Sequence, residues 1–302
     1  SEARLNGAIG RIDWLFGLSH VEARQRGMRT LGGLGPQAEL VIDDATAFAR
    51  DWRYHRRYAL DRFRIAARKA TPGERLEPFE RYRRGLAKLL ARRQPFHRRR
   101  YLEQEGIEFD ERLLSYRVRG TVYLDGYWQS EGYFKDVEPT IRQDLQIIPP
   151  PDDHNREMAQ RIARCNAVAV HVRWFDPPHS ATGTHNASVD YYRRALDLIR
   201  SRTDNPHFFL FSDDPTSARS LLGLPQDRST CVDHNRGDEN ACADLWLMSR
   251  CRHFIIANST FSWWGAWLAG QRDKTVIAPM LRLSGMTAWG YGALTPKAWI
   301  EL

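Results

Sequence analysis

From Asn166 onward the chain alternates short apolar runs with longer stretches whose apolar residues recur at helical spacing. NAVAVHVRWF, HFFLFS, HFIIA and TVIAP read as strands, too uniformly apolar to leave one face in water. Between them, VDYYRRALDLIRS, PTSARSLLG, ADLWLMSRC and SWWGAWLAG read as helices, the second opened by Pro215. Strands alternating with helices predict a parallel sheet covered on both faces.

Before that region the pattern is less regular. AELVIDD (Ala38–Asp44) reads as a strand, and TVYLDGYWQSEGYF as a strand running into a polar turn. Residues 75–119 are dense in arginine and read as helical. Leu86, Leu89 and Leu90 recur there at helical spacing, which predicts one packed face. At IIPPPDDHN three consecutive prolines, Pro149 to Pro151, forbid regular structure. The domain boundary is expected there, giving an N-terminal domain over 1–150 and a C-terminal one over 151–302.

A length of 302 residues, 42% of them hydrophobic, supports two cores, and 27% charged residues fit a soluble chain. No apolar run approaches the roughly 18 residues of a membrane span. The start, SEARLNGAIG, lacks the basic head and apolar centre of a secretory signal. Cys165, Cys231, Cys242 and Cys251 are widely spaced, so reduced cytoplasmic thiols are expected, not zinc or a disulfide scaffold. The net charge of +8 calls for acidic partners: nucleotides, phosphorylated lipids, nucleic acid or an anionic membrane surface.

Three predicted strands end in polar clusters, and ligands of open parallel sheets bind beyond those ends. On the first, His171 and Arg173 stand two apart and share a face. An arginine is rarely buried without a partner, and its planar fork suits a phosphate. An Arg173–Asp176 ion pair beside a hydrogen-bonded core histidine explains the same letters equally well. The second cluster is Ser212-Asp213-Asp214-Pro215, where helix capping accounts for one aspartate and leaves the other for a nucleotide. The third is Asn258-Ser259-Thr260, at a helix start whose free N–H groups attract phosphate. On the following helix Phe261, Trp264 and Leu268 fall together, with Trp263 and Trp267 beside them, so the indoles belong to the core. Ser262, Gly265, Ala266 and Ala269 form a small-residue face that invites close approach of a strand or a diphosphate. The sequence has no phosphate loop, no G-x-G-x-x-G, no Asp-x-Asp pair, no H-E-x-x-H and no G-x-S-x-G. A basic, metal-independent diphosphate site is the reading that remains.

HVRWFD, FFLFSDDP and ADLWLMSRCRHFIIANSTFSWWGAWLAG…DKTVIAP together resemble the α-1,2-fucosyltransferases of glycosyltransferase family 11. LDGYWQSEGYFKDVEPTIRQDL and RYALDRFRI extend the likeness upstream to about Ala38. The resemblance implies a GT-B architecture, two Rossmann-like domains facing a cleft, with GDP-β-L-fucose as donor, no metal or other cofactor, and inversion at the anomeric carbon. It implies that Arg173 binds the β-phosphate, His171 contacts the nucleotide, Asp213 recognises guanine, and Asn258, Ser259, Thr260, Phe261 and Ser262 form the phosphate-side loop. The family writes its first motif H-x-R-R-G-D-Y; here it reads His171-Val172-Arg173-Trp174-Phe175-Asp176-Pro177. Its opening G-G-L-G-N-Q is matched in letters at Gly32–Gln37 and in position at Gly7–Gly10.

Asp176 is the expected general base, a carboxylate just past the phosphate arginine; Glu131 and His185 are alternatives. The acceptor, an oligosaccharide or lipid-linked glycan, is expected against Trp128 and Gln129 with Tyr127 and Ser130, an aromatic platform with polar neighbours. A strand end with a helix cap accounts for Trp128 as well. The arginine-rich stretch reads as a solvated helix face, as an attachment to an anionic inner membrane, or as a nucleic-acid surface for which no motif argues. The expectation is a bacterial, cytoplasmic fucosyltransferase acting α-1,2 on galactose, with no nucleic-acid partner. Other linkages (α-1,6 or α-1,3) and a non-catalytic GDP-sugar or glycan-binding homologue stay open.

Overall fold

The computed structural model describes residues 41–42, 59–65, 68–104, 109–116, 121–125, 130–135, 138–175, 186–280 and 294–302. Tyr127, Trp128, Gln129, Asp176, His185 and both glycine loops lie outside the described residues. The chain divides into two units between Gln146 and Ile147, just ahead of the proline run.

In the first unit, strand β1 (Val41–Ile42) pairs in parallel with β2 (Arg68–Lys69). Helix α1 (Glu80–Arg92) precedes β3 (Tyr101–Glu103), which pairs in parallel with β4 (Tyr123–Asp125), and helix α2 (Glu138–Asp144) follows. Among the described residues, the helical expectation over 75–119 holds as α-helix only for α1. Pro95 ends the run, Tyr101–Glu103 is drawn into a ladder, and Glu111–Ser115 forms a single three-ten turn. The packed face of α1 is also not the expected one. Leu86, Leu89 and Leu90 remain 46%, 51% and 49% exposed, while Ala91 is buried. Lys88 turns inward, its Nζ 2.8 Å from Glu103 Oε1 and 2.9 Å from Asp125 Oδ2, and Arg92 Nη2 lies 2.7 Å from Glu103 Oε2. Carboxylates at the ends of β3 and β4 therefore orient this helix, against the pull of its leucines.

The second unit holds helix α3 (Asp153–Ala163), β5 (Asn166–Val172), α4 (Val189–Arg202), β6 (Pro206–Ser212), α5 (Pro215–Leu222) and β7 (Ser229–Val232). It continues with α6 (Ala241–Met248), β8 (His253–Ile255), α7 (Thr260–Leu268), β9 (Val276–Ala278) and β10 (Ile300–Glu301). The six strands form one parallel sheet in the order β10-β9-β8-β5-β6-β7. Strands β7 and β10 escaped the sequence reading, because four and two residues at a sheet edge leave no apolar run to see.

Alternation along β5 sorts the core. Val168, Val170 and Val172 pack with Tyr191, Tyr192, Ala195 and Ile199 of α4. Ala167, Ala169 and His171 point to the opposite face. Helices α4 and α5 contact each other on one side, and α3 and α7 both contact α6 on the other. The sheet is thus covered on both faces, as uniformly apolar parallel strands require.

Candidate functional site

Strand β5 stands in the middle of the sheet. The chain proceeds from it to β6 and β7 on one side, then returns to β8, β9 and β10 on the other. The order reverses between β5 and β8, and the crevice beyond the carboxyl ends at such a reversal is where open parallel sheets take ligands.

Residues of all three predicted clusters meet there. Val172 of β5 is in register with Ser212 of β6, so the next residues, Arg173 and Asp213, leave the sheet side by side. Arg173 Nη1 lies 2.7 Å from Asp213 Oδ2. The other carboxylate oxygen, Oδ1, accepts from the Trp174 backbone N–H at 3.1 Å. Asp213 thus holds both the guanidinium and the backbone that carries it. Arg173 also lies 5.6 Å from the Phe175 ring centroid, within cation–π range. Its neighbour Asp214 is the cap: its carboxylate accepts from Ser217 N at 3.0 Å and from Ser217 Oγ at 2.6 Å. Two adjacent aspartates therefore do two different things: Asp214 caps the helix, as expected of one of the pair, and Asp213 pairs with Arg173.

Across the reversal, His171 faces Phe261 in the first turn of α7, ring centroids 5.5 Å apart. His171 is buried, and burial, reinforced by the Arg173 charge, pushes its pKa down to about 3. The imidazole is neutral at physiological pH. Its Nδ1 is buried without a hydrogen-bond partner among the described residues, and leaving such an atom unsatisfied costs about 1–3 kcal/mol. That cost is recovered when a ligand supplies the partner.

Helix α7 begins after Asn258 and Ser259, with Ser259 as a buried cap residue in extended conformation whose side chain makes no capping bond. A helix start leaves the N–H groups of its first turn without intrahelical partners and carries the positive end of the helix dipole. Ser262 is wholly buried, its hydroxyl donating to the Ser259 carbonyl at 3.1 Å. Trp263, Trp264 and Trp267 are core, and Trp263 Nε1 donates to the Leu294 carbonyl at 2.9 Å. The expected close approach at the small-residue face is a helix–helix contact. A Cβ placed on Gly265 would stand 2.4 Å from Met248 Sδ of α6. At the far end, Lys274 Nζ donates to the carbonyls of Ala266 (2.7 Å) and Ala269 (2.8 Å), closing the negative end of the helix.

Several supporting residues gave no signal in the sequence. Adjacent tyrosines near the start of α4 pin the strand ends: Tyr192 Oη donates to the His171 carbonyl at 2.9 Å, and Tyr191 Oη lies 2.6 Å from the Ile256 carbonyl. Asn186 Oδ1 accepts from Phe175 N at 2.8 Å and fixes the chain beyond Arg173. Past β7, Asn235 Nδ2 donates to Asp244 Oδ1 at 2.9 Å. Burial pushes the Asp244 carboxyl up to about 7, with that amide pulling the other way. Of the remaining candidates, Ser130 caps a three-ten turn by accepting from Gly132 N, and Glu131 opens that turn.

The arrangement offers a fixed cation, a neutral imidazole seeking a partner and a helix start around one crevice, which suits an anionic, nucleotide-bearing ligand. The chain is 34% identical over 165 residues to an α-1,2-colitosyltransferase of Escherichia coli, covering 54% of this chain and 56% of that one. It is 30% identical over 162 residues to galactoside α-(1,2)-fucosyltransferase 2 of Rattus norvegicus, covering 49% and 44%. The chain thus spans about half the length of the curated relatives it matches. A fucosyltransferase NodZ from Bradyrhizobium, solved by crystallography, superposes with a TM-score of 0.45 at 14% identity, over 87% of this chain and 92% of that one. The sequence model of Glycosyl transferase family 11 matches residues 74–300, a stretch that takes in β3 through β10 and every site residue just described, and the chain belongs to that family.

Proposed function

We propose that the chain is an inverting glycosyltransferase that moves L-fucose from GDP-β-L-fucose to a hydroxyl of an acceptor glycan, α-1,2 to galactose, without a metal ion. The observation that carries this reading is the Arg173 guanidinium clamped by Asp213 at the sheet reversal, beside neutral His171 and the start of α7. Family membership and the names of the relatives support the sugar and the linkage.

In this reaction the acceptor oxygen bonds to the anomeric carbon as that carbon's bond to the β-phosphate oxygen breaks. The acceptor proton passes to a base and GDP leaves from the opposite face. Negative charge grows on the β-phosphate as the bond breaks. Arg173 and the N–H groups at the start of α7 meet that charge already oriented, which is what makes a donor worth about 3–4 kcal/mol in the transition state. Asp213 keeps the guanidinium in place, which gives it a positioning role in this reading alongside or instead of the guanine contact implied by the resemblance. His171 Nδ1 gains its missing hydrogen bond from the nucleotide. Asp176 is the proposed base and Trp128 and Gln129 the proposed acceptor contacts. The proposed setting is the cytoplasm; among the described residues no helix is long and apolar enough to cross a membrane.

A second donor is favoured by one observation, the 34% identity to a colitosyltransferase; colitose is fucose without its 3-hydroxyl. The deciding experiment incubates the chain with a galactoside and either donor in EDTA, then reads GDP release and the product linkage by NMR. GDP release with an α-1,2 product is expected, and Arg173→Ala should lower turnover roughly a hundredfold or more while keeping the native circular dichroism. Near-normal turnover in that variant overturns the assignment, and activity that appears only on adding Mg²⁺ or Mn²⁺ overturns metal independence.

A further inference from the structure

Helix α1 wears its apolar face outward. At about 100° per residue, Tyr82, Leu86, Leu89 and Leu90 fall in one stripe roughly 100° wide, and Phe79 stands just ahead of the helix as its N-cap residue. Phe79 and Tyr82 are each 76% exposed and the three leucines 46–51%. The opposite face, with Lys88 and Ala91, is the one that packs, through the ion pairs to Glu103 and Asp125. Soluble helices ordinarily do the reverse. Isolated exposed leucines need no explanation, but four large apolar side chains on one helical stripe, with an exposed phenylalanine at its start, do. Phe79 adds a detail: it sits at φ 69°, a left-handed conformation uncommon for an aromatic residue, with its ring in solvent.

Charge decides what covers the stripe. Arg83 lies along one border, Arg92 is the arginine nearest the other and Arg93 stands at its end, all exposed. His97, Arg98 and Arg100 follow directly and are exposed as well. Glu80 is the one acidic residue of the helix, ERYRRGLAKLLAR, and lies away from the stripe. Glu103, on β3, is already shared by Lys88 and Arg92. An apolar stripe with an aromatic N-terminal end and a cationic border is the pattern of a helix lying in a bilayer interface, its arginine stems along the apolar zone and their heads at lipid phosphates. A second copy fits worse, because joining two such stripes face to face brings arginine rows together.

We propose that the outward face of α1 binds the surface of an anionic lipid bilayer, with Leu86, Leu89 and Leu90 in the headgroup boundary and the flanking arginines on the phosphates. The inference rests on the first unit alone and is independent of the donor site. The test is co-sedimentation of the full chain with vesicles of phosphatidylcholine, with and without about 30 mol% phosphatidylglycerol. Binding at least tenfold stronger to the anionic vesicles is expected, weakening as salt is raised. The double variant L86E/L89E should lose tenfold or more of that binding, as should R83E/R93E, with thermal unfolding and GDP titration unchanged in both. Those four side chains are exposed, and the thermal unfolding of each variant separates a folding defect from lost binding. Equal binding to both vesicle types, or variants that bind like the wild type, overturns the proposal. A stable dimer in sedimentation velocity that L86E/L89E dissociates, with no vesicle binding, overturns it in favour of a second copy.

Discussion

Replacing Asp213 by alanine tests whether this carboxylate acts through Arg173. The pair is 2.7 Å apart, with side chains 17% and 31% exposed, so water screens it only in part. Unit charges about 4 Å apart at an effective dielectric near 20 attract by about 4 kcal/mol before desolvation is subtracted. A net loss of about 1.5–3 kcal/mol is the range for a hydrogen bond to a charged group. Asp213→Ala also frees the Trp174 N–H, which loosens the segment carrying the arginine. Turnover in this variant should therefore fall roughly tenfold to a hundredfold. The informative quantity is the double-mutant cycle. If Asp213 works by holding Arg173, then Arg173→Ala/Asp213→Ala should be no slower than Arg173→Ala alone, a coupling of about 1.5–3 kcal/mol. The assay is initial-rate GDP release at saturating donor, with guanine selectivity read in parallel by competition with ADP and UDP. Free-energy losses that add within about 0.5 kcal/mol, together with lost guanine selectivity, would refute the positioning role and return Asp213 to reading the base.

Two further predictions follow from neighbouring residues. His171 is held neutral, its pKa moved from 6.5 to about 3, so the unfolded chain takes up this proton first as the pH falls. Stability should decline below pH 6.5 by about 2 kcal/mol at pH 5, and denaturant unfolding of His171→Asn should show that acid limb flattened; an unchanged limb would mean that other groups produce it. Gly265→Ala gains up to about 1 kcal/mol of helix propensity but drives a methyl into fully buried Met248 at 2.4 Å. A net loss of about 1–2 kcal/mol is expected, seen as a lower Tm and partly recovered by adding Met248→Ala; a Tm equal to or above the wild type would contradict that packing.

The second unit was legible because its strands are buried on both faces and its helices are either striped, as α3, α4 and α5 are, or apolar nearly all round, as α6 and α7 are. The three polar clusters were legible because each interrupts a run that otherwise has no reason to be polar. What was hidden depends on tertiary partners. Lys88 turns inward only because Glu103 and Asp125 happen to stand at two strand ends, which reverses the face chosen by Leu86, Leu89 and Leu90. Arg173 pairs with Asp213 because β5 and β6 are in register, a fact that sequence spacing does not contain. The small face of α7 announces close approach but not its partner, and the partner is Met248. Tyr191 and Tyr192 read as core aromatics, and their hydroxyls reveal a role only once the strand-end carbonyls are in place.

The account stands most directly on Arg173 as the anchor of a nucleoside diphosphate. Calorimetric titration of the wild type and Arg173→Ala with GDP, in EDTA, measures that claim without needing an acceptor. Saturable micromolar binding by the wild type, weakened at least tenfold in the folded variant, is the predicted result. A folded wild type that does not bind GDP, or a variant that binds it equally well, would contradict it.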